Sequence, residues 1–253
     1  MTTTKECQAY PFQGQPHLWT ATFNPPPLAD PEEPQRVLRT DLQKIELGKS
    51  SSSCKVSFVT RLHRTTALQE FWCASFEEAQ VYQNIAAHPE VVNFKEQLTR
   101  VHFVKEDGRA SHTLVDAHVL LRNGTETLVS VKYDEKATRP SYRDEIESIA
   151  KQCPLEIADR FIIVSRYSFH SLYRSSAKAI HLARRGWDPE ADQIVLEAAN
   201  DLGGRFSFKD LVDHSELKNR AHRAAIRLIG DSDIGKNLLD PISEHTQLWS
   251  VAA

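Results

Sequence analysis

The stretch from Thr113 to Leu121 alternates along its length, with Asp116, His118 and Leu120 interleaved between Val115, Ala117, Val119 and Leu121. Period-two patterning of this kind predicts a β-strand with one face turned to a core. Leu128 to Tyr133 repeats the pattern, placing Ser130 and Lys132 on one face and Val129, Val131 and Tyr133 on the other. Between the two lies Arg122-Asn123-Gly124-Thr125, whose Asn-Gly pair favours a tight turn. An antiparallel hairpin is therefore predicted, able to present Asp116, Ser130 and Lys132 to one pocket.

Upstream, helical spacing replaces alternation. Ser75 opens a predicted helix running to Ala87, with an apolar stripe of Val81, Ile85 and Ala86 and with Glu78 one turn before Tyr82. His88-Pro89-Glu90 makes a turn into a further strand ending at Lys95-Glu96-Gln97, and Lys55 to Arg64 alternates as a strand before the helix. Beyond Lys132, Tyr142 to Gln152 reads as a helix anchored by Ile146 and Ile149, and Arg160 to Ser165 as a buried strand. Strand, helix, strand is the crossover that completes a mixed sheet.

Leu172 to Gly186 carries Arg174, Lys178, Arg184 and Arg185 and reads as a basic linking helix, in contact with phosphates or simply solvated. Three more helices follow, Asp192 to Asn200 (ended by Gly203-Gly204), one starting at Ser207 to Val212, and Glu216 to Ile229. The tail holds two strand-like pieces, Lys236 to Leu239 and Thr246 to Val251. Three helices with a two-stranded tail predict a winged-helix-like unit. Its third helix sets Lys218, Arg220, Arg223 and Arg227 against Leu217, Ala221, Ala224 and Leu228, so it is a candidate for double-stranded DNA. A protein-docking face is the other reading of that helix.

Residues 1–54 form an expected arm, since seven prolines between Pro11 and Pro34 and the run Ser50 to Ser53 discourage regular structure. Arg36 to Leu42 is a brief element within it. The full division is an arm over 1–54, an α/β unit over 55–170, a basic linker over 171–190 and the winged-helix-like unit over 191–253.

Charge narrows the functional classes. With a net charge of −3, the chain is not a generally basic nucleic-acid binder, and any DNA contact must come from local patches or a partner. No apolar run is long enough to span a bilayer, and the polar start Met1 to Glu6 is unlike a signal peptide, so a cytoplasmic protein with no membrane partner is expected. Cys7, Cys54, Cys73 and Cys153 are too scattered for a zinc ribbon or a disulfide framework, which leaves reduced thiols as the expectation.

An acid on a helix, then an aspartate and a lysine on neighbouring strands, is the order of the restriction-endonuclease-like nucleases. More narrowly, Ser75 to Tyr82, Val91 to Gln97, Val115-Asp116 and Val131-Lys132 together resemble the TnsA endonuclease subunit of heteromeric cut-and-paste transposons, over roughly residues 55–170. The resemblance implies an α/β fold, a restriction-endonuclease-like mixed sheet flanked by helices, and phosphodiester hydrolysis at the 5′ ends of a mobile element. It implies magnesium as the cofactor, with manganese able to substitute, and double-stranded transposon ends as substrate. A transposase subunit and an ATP-dependent transposition regulator are the implied partners.

On that reading Glu78 and Asp116 are the metal ligands, with the Val131 carbonyl a third, and Lys132 orients water or stabilises charge. Ser130 stands where related nucleases carry an acid or glutamine, and its neutral hydroxyl is a weak metal ligand. Each piece also has a plainer meaning. Ser75-x-x-Glu78 is a capping box, Glu77 is an alternative acid, and a terminal lysine on a strand discourages edge pairing. His112 and His118 are further site candidates, as are Lys151 and Gln152.

Overall fold

The computed structural model describes residues 53–251 apart from 64, 66, 98, 106, 155 and 156, together with the backbones of two short strands, His17–Leu18 (β1) and Val37–Arg39 (β2). Most of the expected arm, Cys7 and Arg64 lie outside the described residues. Part of the brief element expected at Arg36 to Leu42 is the strand β2, paired in parallel with Leu68–Ser75 (β4), which also pairs antiparallel with Ser53–Thr60 (β3).

β4 passes directly into helix α1, Phe76–Ala86, where Ser75 accepts the Glu78 amide at 3.1 Å and caps the first turn. Val91–Glu96 (β5) follows. Next come Arg100–Val104 (β6) and Ala110–Leu114 (β7), a separate two-stranded hairpin. The single strand expected over Thr113 to Leu121 is thus two. Its second part, Ala117–Leu121 (β8), belongs to a different sheet from β7, and Val115-Asp116 is the joint between them.

β8 pairs antiparallel with Glu126–Val131 (β9) as the alternation predicts. Of the turn residues, Gly124 takes a positive φ of 82°, and its amide bonds the Leu121 carbonyl at 2.9 Å. Left-handed backbone at that point is what the glycine makes cheap. β9 differs from expectation in being buried at every position from Glu126 to Val131. It is a central strand, with α1 covering Val129 and Val131 and a second helix covering Leu128.

A short turn of helix, Asp134–Ala137 (α2), leads to that covering helix, Pro140–Gln152 (α3), and then to Arg160–Val164 (β10), parallel to β9. The resulting five-stranded mixed sheet has the order β1-β10-β9-β8-β5. The molecule is a mixed α/β protein.

After β10 a 3-10 turn at Arg166–Ser168 enters α4, Ser171–Arg184. This is the helix expected as a basic linker. Its Tyr173, Ala177, Ile180 and Ala183 are buried in the same apolar cluster that contains α1 and the helices beyond, so the two halves share a core across it. The C-terminal part runs Pro189–Leu202 (α5), Arg205–Ser207 (β11), Phe208–His214 (α6), Asn219–Gly230 (α7), Ile234–Lys236 (β12) and Gln247–Ser250 (β13). Its strands form an antiparallel sheet ordered β11-β13-β12, so three strands accompany the three helices where two were expected. Among the described residues no helix is long and apolar enough to cross a membrane.

Candidate active site

Asp116 is held by its backbone before its side chain does anything. Its carbonyl accepts the Gln97 amide at 3.0 Å and the hydroxyl of Tyr82, which is buried on α1. These contacts lock the joint between β7 and β8 against both the end of β5 and the helix that carries Glu78. The carboxylate then points along the end of β9. Its Oδ2 accepts the Val131 amide at 2.7 Å, Ser130 Oγ at 3.1 Å and Lys132 Nζ at 3.1 Å.

Glu78 approaches from the first turn of α1. Its Oε2 accepts the Ala74 amide at 2.9 Å and Gln97 Nε2 at 3.2 Å. The capping arrangement is therefore half of the usual box, because the carboxylate reaches Ala74 instead of Ser75. Burial pushes the Glu78 pKa up, and the nearby Asp116 charge pushes it further, which places the two carboxylates within electrostatic reach. Glu77, the alternative acid, turns elsewhere: it is buried and accepts the Arg166 amide at 2.9 Å.

Lys132 begins where β9 ends. Its amide bonds the Val164 carbonyl at 3.0 Å, continuing the parallel ladder, while Nζ also donates to the Val131 carbonyl at 2.8 Å. Burial alone lowers the lysine pKa, but Asp116, Tyr142 and Glu78 together outweigh it and leave the ammonium raised above its ordinary value. Lys132 is therefore a fixed cation near neutral pH. The Val131 carbonyl, expected as a metal ligand, is engaged by that ammonium.

Ser130 is likewise engaged. Its Oγ lies 2.7 Å from the Tyr142 hydroxyl and donates to Asp116, so α3 reaches the site through Tyr142. Sequence reasoning placed Glu78, Asp116, Ser130 and Lys132, and the structure brings all four together. It missed Tyr82, Gln97 and Tyr142. The signal for Tyr142 was its place in the first turn of the crossover helix; Tyr82 and Gln97 lay inside the segments that carry the resemblance, but the left-handed φ of 48° at Gln97 is a product of the fold.

The donor set fits a hard divalent cation. Asp116 Oδ1 accepts no hydrogen bond among the described residues, and the mutual repulsion of the Asp116 and Glu78 carboxylates is what a cation relieves. No cluster of three His, Cys, Asp or Glu side chains suited to a metal occurs among the described residues. Two carboxylates match an ion such as magnesium, which keeps several waters and takes substrate oxygens.

Other expected positions lie away from this site. Lys151 pairs with Glu147 at 2.9 Å, and Gln152 bonds the Val104 backbone. His112 rings against His102, and His118 against Glu126 at 2.5 Å. Arg61 and His63, in the stretch expected as a strand before the helix, are buried near Arg184 and Asp231.

On α7 the four basic candidates divide. Lys218 and Arg223 are exposed and make no side-chain hydrogen bond or ion pair among the described residues. Arg220 is exposed but forked onto Asp188 at 2.8 and 2.9 Å, with Glu190 at 2.6 Å. Arg227 is a correction to the exposed basic face: it is buried and paired with Asp192 at 2.7 Å, out of reach of a groove. Cys54, Cys73 and Cys153 form no disulfide among the described residues. Compared with known proteins, the chain matches no protein-family profile and no curated sequence.

Proposed function

We propose that this chain is a metal-dependent DNA endonuclease of the TnsA kind, hydrolysing phosphodiester bonds at the 5′ ends of a mobile element beside a separate transposase and under an ATP-dependent regulator. The observation that carries the reading is the pair of interacting carboxylates, Glu78 and Asp116, held beside the fixed Lys132 cation. A mixed sheet with its acid-bearing helix at one end agrees with a restriction-endonuclease-like core. The C-terminal order of helix, strand, two helices and two strands agrees with a winged helix.

Bound at this site, magnesium supplies Lewis-acid polarisation of the scissile phosphate and a lowered water pKa, and manganese is able to substitute. Glu78 and Asp116 are the residues that would hold it. Lys132, already protonated, orients the attacking water or offsets charge growing on the phosphoryl oxygens, acting as an electrostatic group and not as a base. Tyr142 and Ser130 fix the Asp116 carboxylate in place. The expected products are a 5′-phosphate and a 3′-hydroxyl.

One observation favours a second reading, a non-catalytic DNA-binding or assembly subunit: the Ser130 hydroxyl is consumed by Asp116 and Tyr142. The deciding experiment is a cleavage assay reconstituted with the accompanying transposase, comparing wild type with Glu78→Ala, Asp116→Ala and Lys132→Ala. Metal-dependent cutting lost in all three variants supports the endonuclease. Cutting without any partner favours a standalone restriction or repair nuclease, and undiminished cutting by Asp116→Ala sinks the site.

A further inference from the structure

Three aromatic side chains on segments adjoining the candidate site stand out in solvent: Phe76 is 60% exposed, Tyr133 50% and Tyr167 57%. These are large values for rings of this size. They come from three separate elements, two of which bond to the segment that carries the third. Phe76 begins α1, two residues before Glu78. Tyr133 follows Lys132 at the end of β9. Tyr167 lies in the turn after β10.

Short contacts tie the three elements together. Glu77 accepts the Arg166 amide at 2.9 Å, Ser165 Oγ donates to Asp134 Oδ1 at 3.2 Å, and the Arg166 guanidinium lies 4.7 Å from the Tyr167 ring centre. Glu77, beside Phe76, thus touches Arg166, and Asp134, beside Tyr133, touches Ser165, both within two residues of Tyr167. The rings are not part of the core.

The chain continues from Tyr167 into α4, and there a groove of about 370 Å³ opens between α1 and α4. It is lined by Gln80, Gln83, Ser171, Arg174, Ser175 and Lys178, and by no acid. Arg174 and Lys178 make no side-chain hydrogen bond or ion pair among the described residues. They are one helical turn apart on the same face of α4, a separation of about 5–6 Å. Two open cations among amides and hydroxyls suit a row of phosphates better than an apolar partner.

We infer that the aromatic rim and the α1–α4 groove form a path for single-stranded DNA leading from the candidate site, so the substrate is DNA whose bases are unpaired beside the cut. The inference rests on the endonuclease reading. Exposed rings stack on unpaired bases of any sequence, and a basic groove follows the backbone; the two together are the usual means of holding a single strand. A continuous duplex keeps its bases stacked inside and has no use for the rings.

Fluorescence anisotropy with the full chain in EDTA tests this apart from catalysis, using a labelled single-stranded oligonucleotide and the corresponding blunt duplex. Tyr133→Ala with Tyr167→Ala is expected to weaken single-strand binding about tenfold or more while leaving duplex binding nearly unchanged. Arg174→Glu with Lys178→Glu is expected to remove single-strand binding, and unchanged thermal unfolding shows that both double variants fold. Equal loss on strand and duplex, or no loss on either, overturns the path. Retained strand affinity with loss of transposase capture assigns the rings to a protein and overturns it too. If the strand results hold while Asp116→Ala still cuts in the reconstituted assay, the endonuclease assignment has failed and the path has not.

Discussion

Lys132 and Asp116 meet at one carboxylate oxygen, Oδ2, where the ammonium lies 3.1 Å away and the Val131 amide donates at 2.7 Å. The other oxygen of Asp116 accepts no hydrogen bond among the described residues. Asp116→Asn keeps the size and much of the hydrogen bonding but removes the charge. The expected outcome is metal-dependent cleavage reduced by roughly 10²–10³-fold or more, with DNA binding retained in a filter-binding assay. Near-wild-type cleavage by this variant would show that the open oxygen is not used.

Glu78 supplies a pH dependence. Burial and then the Asp116 charge raise its pKa, so folding favours the protonated acid. That contribution is full below the unfolded carboxylate pKa and is lost as pH rises through the raised value. Metal needs the ionised form, so magnesium affinity by titration calorimetry should climb through a window just above the ordinary carboxylate range. Glu78→Gln should bind weakly at every pH in that window, and an unaltered pH profile in this variant would exclude Glu78 as a ligand.

Much of this site was legible because its parts are local. The cap at Ser75 fixes where α1 starts, and the alternation on either side of Asn123-Gly124 fixes the register of β8 against β9. Asp116 and Lys132 could therefore be put on neighbouring strands from spacing alone. What period-two reading could not show is that Thr113 to Leu121 breaks at Val115-Asp116, because the break is set by distant groups, the Tyr82 hydroxyl and the Gln97 amide. Arg184 and Arg227 misled for a related reason. A basic residue on a helix reads as solvated, and only the carbonyls and carboxylates of other elements reveal that it is buried. The same blindness made α4 look like a linker.

A second titrating pair lies farther along the same sheet. Burial, with the Asp159 charge adding to it, pushes Glu126 up to about 7, and burial lowers His118 to about 4. The raised acid contributes stability below its unfolded pKa that is lost as pH rises through about 7. The lowered histidine contributes stability above its unfolded pKa that is lost as pH falls toward about 4. Glu126→Gln should therefore match or trail wild type at pH 6, and exceed it at pH 8 by on the order of 1–2 kcal/mol in urea unfolding. A constant difference across that range would mean the carboxyl titrates normally.

The α7 arginines separate binding from folding. Arg223 is exposed and without a side-chain partner among the described residues, whereas Arg227 is buried against Asp192 and three backbone carbonyls. Arg223→Glu should weaken DNA affinity at low salt and leave the unfolding midpoint alone. Arg227→Ala should destabilise by about 3–5 kcal/mol, since it strands Asp192. If Arg223→Glu binds DNA as well as wild type, the exposed face of α7 serves a protein instead.

Arg184 decides whether the two halves behave as one cooperative unit. Its guanidinium, 2% exposed, donates to the Ala86 carbonyl at 2.8 Å, to the Gly230 carbonyl at 2.7 Å and to Asp231 at 2.7 Å. One side chain on α4 thereby satisfies the C-terminal ends of both α1 and α7, where unpaired carbonyls collect. Burial opposes the Asp231 charge, yet Arg184 and then His63 outweigh it and hold that carboxyl below its ordinary pKa. The resulting stability is present above the unfolded carboxylate pKa and is lost as pH falls through the lowered one. Arg184→Met keeps the bulk but removes every donor, and should cost about 3 kcal/mol or more. It should also flatten the acid limb of stability against pH. Calorimetry of the variant is expected to show two transitions where wild type shows one; a single transition with an unshifted midpoint would mean that the apolar contacts of α4 couple the halves without this arginine.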